Sequence, residues 1–236
     1  MKYGIQLYSL RDVTPTDMEG ALRQVADMGY KMVEFAGFFD YPAKKIAEWL
    51  KKYGLEACST HTKLAAISNE CIAYHKAIGC RHLIIPGISC STKENLDKSI
   101  EAINYWQPIL AREGISLHFH SHTGDFLPNQ SGLVVMDELV SRTEILFEID
   151  THLAFMAGKD PIALLDLYAD RVQFVHLKDG KRDGTDTALG EGDSPVAACH
   201  QRAKETGKII VVESEGLDPT GPAEVARCMA FLKSLA

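Results

Sequence analysis

Eight short runs of near-continuous apolar residues recur along the chain: Tyr3–Tyr8, Tyr30–Ala36, Leu55–His61, Cys80–Pro86, Ile115–His122, Glu144–Asp150, Val172–Lys178 and Lys208–Glu213. Runs of this length with little polar alternation suit strands buried on both faces, as in a parallel sheet covered by helices. Stretches of helical spacing lie between them. Met18, Ala21, Leu22, Val25 and Met28 form one apolar stripe, Leu96, Ile100, Ile103 and Leu110 a second, and Val225, Cys228, Met229 and Leu232 a third. The punctuation agrees with this alternation. Gly29, Gly54, Gly79, Gly114 and Gly207 each close a helical stretch just before a strand, where a left-handed residue is favoured. Thr16 with Glu19 predicts a capping box, and Asp160-Pro161 and Ser194-Pro195 predict proline in a first helical turn.

Strand starts recur every 25–36 residues, the length of a βα unit. Eight such units predict an α/β protein made of a single (β/α)8 TIM barrel, one domain over residues 1–236. A doubly wound open sheet is the alternative, but no Gly-rich dinucleotide turn follows the first strand. The longest polar connection, Asp179–Ser194, follows the seventh strand and is a candidate substrate loop or lid.

Composition narrows the function. A net charge of -7 disfavours nucleic acid as a partner. Six cysteines without a C-x-x-C pair suit reduced thiols in a cytoplasmic protein. The N-terminus enters a strand-like run at once, without the apolar stretch of a signal peptide, so secretion is not expected. No apolar run reaches membrane-spanning length, so no membrane partner is expected either. The sequon at Asn129 is read as chance.

Alternate residues of a barrel strand face inward. On the fifth strand His118, His120 and His122 share one parity; on the sixth, Glu148, Asp150 and His152 do. The seventh offers Phe174, His176 and Lys178, and the eighth Val211, Glu213 and Glu215. The inward position nearest each C-terminal end is therefore polar, where a dry core would hold Val, Ile or Leu. A lone buried histidine is more often a hydrogen-bonded structural residue than a ligand, and His75, His82 and His200 are read that way. Buried carboxylates are rarer and need partners. Four such groups at one barrel mouth therefore point to a metal site.

The phrases YGIQLYSLRD, VEFAG, THTKLA, FHSH, EIDTHLAFMAGKDP, VHLKDG, LGEGD and VVESE, in that order over residues 3 to 233, resemble the xylose isomerase-like barrel family. That family contains sugar phosphate isomerases and epimerases and, more distantly, endonuclease IV. The resemblance implies one divalent ion at the mouth, Mn²⁺ foremost, with Mg²⁺, Co²⁺ or Zn²⁺ as alternatives. Its ligands would be Asp150, His176 and Glu213, with His120 where the epimerases carry a glutamate. That departure removes the symmetric pair of metal-bound glutamates with which epimerases exchange protons. Endonuclease IV needs extra histidines after strands four, six and seven. Here those places hold Pro86-Gly87, Leu153 and a histidine-free loop, so DNA repair is not expected.

Such a site would polarise a carbonyl, acidify the neighbouring C–H and stabilise an enediolate. The leading expectation is an isomerase or epimerase acting on a small sugar, sugar phosphate or keto-polyol. The runner-up is a lyase or hydratase acting on a keto-sugar or 3-keto-glycoside, and the third is a barrel that binds a ligand or partner without turnover. Glu213, His122 and His152 are candidate bases, and Lys178 is a candidate for an oxyanion or substrate hydroxyl. Tyr8, Glu34, His61 and Glu191 are candidate substrate-binding residues. The expected partner is a small carbohydrate. Barrels of this kind often self-associate, so a homo-oligomer is also considered.

Overall fold

Alternation within each strand sorts the buried residues into two compartments. In the computed structural model, which describes residues 1–235, eight parallel strands close into a barrel. They are β1 (Gly4–Gln6), β2 (Met32–Phe35), β3 (Glu56–His61), β4 (His82–Ile85), β5 (Ser116–His120), β6 (Leu146–Asp150), β7 (Val172–Leu177) and β10 (Ile209–Val212). Each of the eight expected runs holds one strand, and the strands are shorter than the runs because apolar residues continue into the turns. Between β7 and β10, β8 (Asp179–Gly180) and β9 (Asp186–Thr187) pair as a small antiparallel hairpin.

Outward-facing residues such as Val33, Phe35, Phe119, Phe147, Ile149, Leu177 and Val212 join the main core beneath the helices. These helices include α1 (Met18–Met28), α2 (Ala43–Tyr53), α3 (Asn69–Ala77), α4 (Lys93–Arg112), α5 (Val135–Arg142), α6 (Thr151–Met156), α7 (Pro161–Leu167), α8 (Val196–Glu205) and α9 (Gly221–Ser234). Inward-facing Met32, Cys58, Ile84, Phe174 and Val211 make a separate apolar plug inside the barrel. The inward positions nearest the C-terminal ends of β5, β6 and β7 are polar. No described helix is long and apolar enough to cross a membrane. All six cysteines are unpaired.

Most helix stops follow the expected logic. Gly29, Gly54, Gly79, Gly114 and Gly207 all have positive φ. Two starts differ. Asp17, not Thr16, caps α1 by accepting from the Gly20 N–H, while Thr16 donates back to the Val13 carbonyl. The carboxylate sits one residue nearer the helix and wins the cap. Asp160 and Pro161 start α7 as expected. By contrast Pro195 is itself the residue before α8, and the hydroxyl of Ser194 is engaged elsewhere.

The candidate substrate loop or lid, Asp179–Ser194, is a tied structure. Buried Asp179 accepts from the backbone N–H groups of Gly180, Gly190, Gly192 and Ser194 at 2.8–3.1 Å. Gly192 leaves room for this knot, since a Cβ there would stand 2.3 Å from the Asp179 carboxylate and 2.6 Å from the Gly180 backbone. The loop after β10 is held in the same way by buried Glu224 on α9, which accepts from Gly216 and Asp218 N–H and from the Ser214 hydroxyl.

Replacing Asp179 by Ala strands several donors at once. We expect a loss of about 2–4 kcal/mol in urea unfolding, with Asp179→Asn in between. A loss below about 1 kcal/mol would mean that the loop is held by something else.

Candidate metal centre

Register brings the polar inward residues of β5, β6, β7 and β10 to the barrel mouth. His120 lies beside Glu148, and Asp150 beside His176, which in turn neighbours Val211 of β10. His120, Asp150, His176 and Glu213 each offer one ligand atom within 4.8 Å of the others. That spacing is within a few tenths of an ångström of what donors ~2.0–2.2 Å from one ion can span.

The hydrogen bonds show which atoms are spare. Asp150 accepts from the Leu153 N–H through Oδ1 at 2.8 Å, while buried Oδ2 has no partner. His176 gives Nε2–H to Glu34 Oε1 at 2.7 Å, and its buried Nδ1 is left without a hydrogen bond, 3.4 Å from Glu213 Oε2. His120 gives Nδ1–H to Glu148 Oε2 at 3.1 Å, which leaves Nε2 as its free lone pair. Unmatched buried acceptors are costly and uncommon. Two of them, on Asp150 and His176, converge with the free Nε2 of His120 and fit a divalent cation.

A second grouping, His61, His120, Glu148 and His176, shares its two inner imidazoles with the first. Its members mostly meet one another, although Glu148 Oε1 is buried without a hydrogen bond. His61 Nε2 meets Glu148 at 2.9 Å and Glu34 at 3.2 Å, and Glu148 Oε1 lies 3.2 Å from His176 Nε2. Gln6 and Ser59 complete the shell around Glu34. Glu34 and Glu148 therefore form a carboxylate layer that fixes the imidazoles above it.

Electrostatics divide the residues by role. Burial pushes Asp150 up to about 7, helped by the nearby Glu213 charge. Burial pushes His120 down to about 3, with charged His176 adding to the effect. For His176 burial works the other way from its neighbours, and Glu148, Glu213 and Glu34 together raise it well above the usual value. Burial likewise opposes the charge on Lys178, yet Glu213, Asp150 and Glu215 hold its ammonium protonated. His122 and His152 are both lowered, chiefly by burial.

A cavity of about 720 Å³ opens over these groups, within the ~300–1,000 Å³ usual for small-molecule sites. Tyr8, His61, His122, His152, Lys178 and Glu213 line it. Tyr8 is fixed by Arg11, whose guanidinium stands 4.6 Å over its ring. His152 is oriented by Ser194, with Nδ1 2.8 Å from its hydroxyl. A Cβ on Gly180 would come within 2.6 Å of His152 Nε2, so glycine there leaves the ring its place.

Two predicted substrate residues sit elsewhere. Glu34 is fully buried beneath His176 and does not reach the cavity. Glu191 points away from the mouth and pairs with Arg227 at 2.8 Å. In its place Glu215 and Asp186 line the cavity around Lys178. Glu215 shares the inward parity of Glu213 and was within reach of sequence reasoning. Asp186 opens the two-residue strand β9 and Ser194 lies in the loop after it, and neither segment carries a periodic signal.

The profile of the xylose isomerase-like TIM barrel family matches residues 22–235. The chain belongs to that family. An inosose dehydratase of Geobacillus kaustophilus is 23% identical over 69% of this chain, which spans 62% of that relative's length. A sugar phosphate isomerase/epimerase from Parabacteroides distasonis superposes with a TM-score of 0.85 at 23% identity, over 98% of this chain and 97% of that one. A D-allulose 3-epimerase from Methylomonas sp., in complex with D-allulose, gives 0.75 at 16% identity over 100% and 97%. The structural likenesses establish the shared barrel.

Two expectations follow. Glu34→Gln and Glu148→Gln should leave the fold intact and weaken Mn²⁺ affinity about 10–100-fold in chelator competition, because the imidazoles lose their charged acceptors. Wild-type affinity in both variants would remove the orienting role. A metal bound there would also have to expel the proton that carboxylates hold on His176. Apparent affinity should therefore fall as pH drops below that raised value, and calorimetry in buffers of different ionisation enthalpy should detect proton release.

Proposed function

We propose that this barrel is a metal-dependent lyase that eliminates a β-substituent from a keto-sugar or keto-polyol. The observation that carries this reading is the asymmetry of the mouth. Its acid–base groups are the metal-side carboxylate of Glu213, two imidazoles lowered by burial and one buried ammonium that Asp186 and Glu215 hold, rather than a matched pair of metal-bound glutamates.

His120, Asp150, His176 and Glu213 would hold the ion. Two imidazoles with two carboxylates suit Mn²⁺, Co²⁺ or Zn²⁺ better than Mg²⁺, which prefers oxygen and water. When bound, it would draw charge from a substrate carbonyl and so acidify the adjacent C–H. Glu213 or His152 removes that proton, and the electron pair becomes the new C=C bond as the β carbon–oxygen bond breaks. The departing oxygen takes a proton from Lys178, leaving an unsaturated ketone and water or an alcohol. Lys178 suits the donor role because three carboxylates keep it charged. Its ammonium would also stabilise developing negative charge.

Isomerisation or epimerisation is the second reading. It begins with the same proton removal, and several cavity groups can return the proton to another atom or face. The six unpaired cysteines support a cytoplasmic setting. A neutral carbohydrate is the proposed partner, and self-association stays a separate proposal.

Asp150→Asn with His176→Ala should lose the metal by elemental analysis and all turnover with it. His152→Asn should keep the metal and lower turnover about 10²–10⁴-fold. Mass spectrometry of keto-sugar incubations in D₂O separates the readings: loss of water or an alcohol supports the lyase, and deuterium uptake without loss supports the isomerase. Neither change across a broad panel would leave a binding barrel.

A further inference from the structure

A second cavity of about 400 Å³ opens beside the catalytic one, between α3 and the loop that follows β2. The two share a wall, because His61 and Lys63 line both. His61 is also part of the carboxylate layer, its ring centroid 5.0 Å from that of His120. A group attached to a unit seated over His120 and Glu213 can therefore extend past His61 towards the second cavity.

The lining of this cavity is mostly apolar and partly aromatic. Phe38 and Tyr74 stack with centroids 4.1 Å apart at 31°. The Tyr74 hydroxyl donates to the Tyr41 carbonyl at 2.6 Å, so the residue offers the cavity ring carbon rather than a free hydroxyl. Phe39 and Asp40, next in the loop, have φ of 47° and 63°, a left-handed conformation that such residues keep only when their surroundings hold them. The Phe38 ring is thus carried on a constrained turn. Lys63, exposed and in no ion pair among the described residues, stands at the junction and can donate to a bridging or hydroxyl oxygen. Glu70 lines the same cavity, which disfavours a phosphate there.

We propose that this cavity is a subsite for a neutral ring linked glycosidically to the unit over the metal centre, so that the substrate is a glycoside rather than a free sugar. This rests on the lyase reading for its consequence, an alcohol as leaving group, but the subsite itself is a binding claim. A ring seated on Phe38 and Tyr74 would gain about tenfold in affinity from its apolar face.

The test compares 4-nitrophenyl β-glucoside and cellobiose with glucose, by ligand-observed NMR on the metal-loaded protein. Ala66→Trp fills the second cavity without touching the first, and Phe38→Ala removes the aromatic wall should the tryptophan variant not fold. The expected result is at least one glycoside binding about tenfold tighter than glucose. Either variant should abolish that advantage while glucose affinity and metal content stay unchanged. Equal affinities in the wild type, or an advantage that survives both substitutions, would overturn the subsite. A parallel assay follows 4-nitrophenol release from the 3-keto glycoside. Absence of release, with the binding advantage present and lost on substitution, overturns the lyase reading alone. Release whose KM is unmoved by either substitution overturns the subsite alone.

Discussion

A carboxylate enclosed by protein, with no water to solvate it, must be met by N–H or O–H donors, and Glu34 and Glu148 meet theirs in three imidazoles. The match works in both directions. Each carboxylate is stabilised by the ring N–H groups it receives, and each ring is fixed in orientation and tautomer. Because His176 spends Nε2–H on Glu34 and His120 spends Nδ1–H on Glu148, the opposite nitrogens are the ones free for an ion. The ligand geometry at the mouth is thus set one layer deeper, by residues that a substrate never touches.

Acidic side chains also fix the rim. Asp179 gathers the loop after β7, Glu224 the loop after β10, and Asp125 receives the backbone N–H of His122 at 2.8 Å. Asp150 does double duty, with one oxygen on the Leu153 N–H at the start of α6 and the other spare. Charge-assisted hydrogen bonds of this kind are stronger than neutral ones. They hold irregular segments in one arrangement where no sheet or helix can. His152 and Lys178 are placed by these loops, so precision at the mouth depends on the anchors as much as on the strands.

Much of this was legible in the sequence. Period-two parity put His120, Asp150, His176 and Glu213 on one surface, and the order of the strands put that surface at one end. Parity gives a face but not a depth. Glu34 shares the inward face and was read as a substrate residue, yet it lies below the mouth because β2 ends one residue past it and the cavity begins above. Glu148 has the same parity as Asp150 and sits one pleat lower, where only the register with His120 reveals its partner. Glu191 lies within the phrase LGEGD, but the Asp179 knot leaves it paired with Arg227 instead of facing the cavity. The hairpin of β8 and β9 is two residues a side, too short to give a periodic signal.

The barrel interior argues for function more strongly than the mouth alone. A (β/α)8 core is ordinarily filled by layers of branched apolar side chains. Here that filling is confined to the plug of Met32, Cys58, Ile84, Phe174 and Val211, above which charged and imidazole groups occupy the axis. Replacing such ionic layers with apolar residues of similar volume is often neutral or stabilising. Stability of the barrel therefore does not explain why they are present. Their arrangement does: orienting carboxylates below, ligand atoms with spare lone pairs above, and a protonated lysine beside a metal-facing glutamate. An interior built this way gathers carboxylates on the axis, and a divalent ion could be held at the point where Asp150, His176 and Glu213 converge.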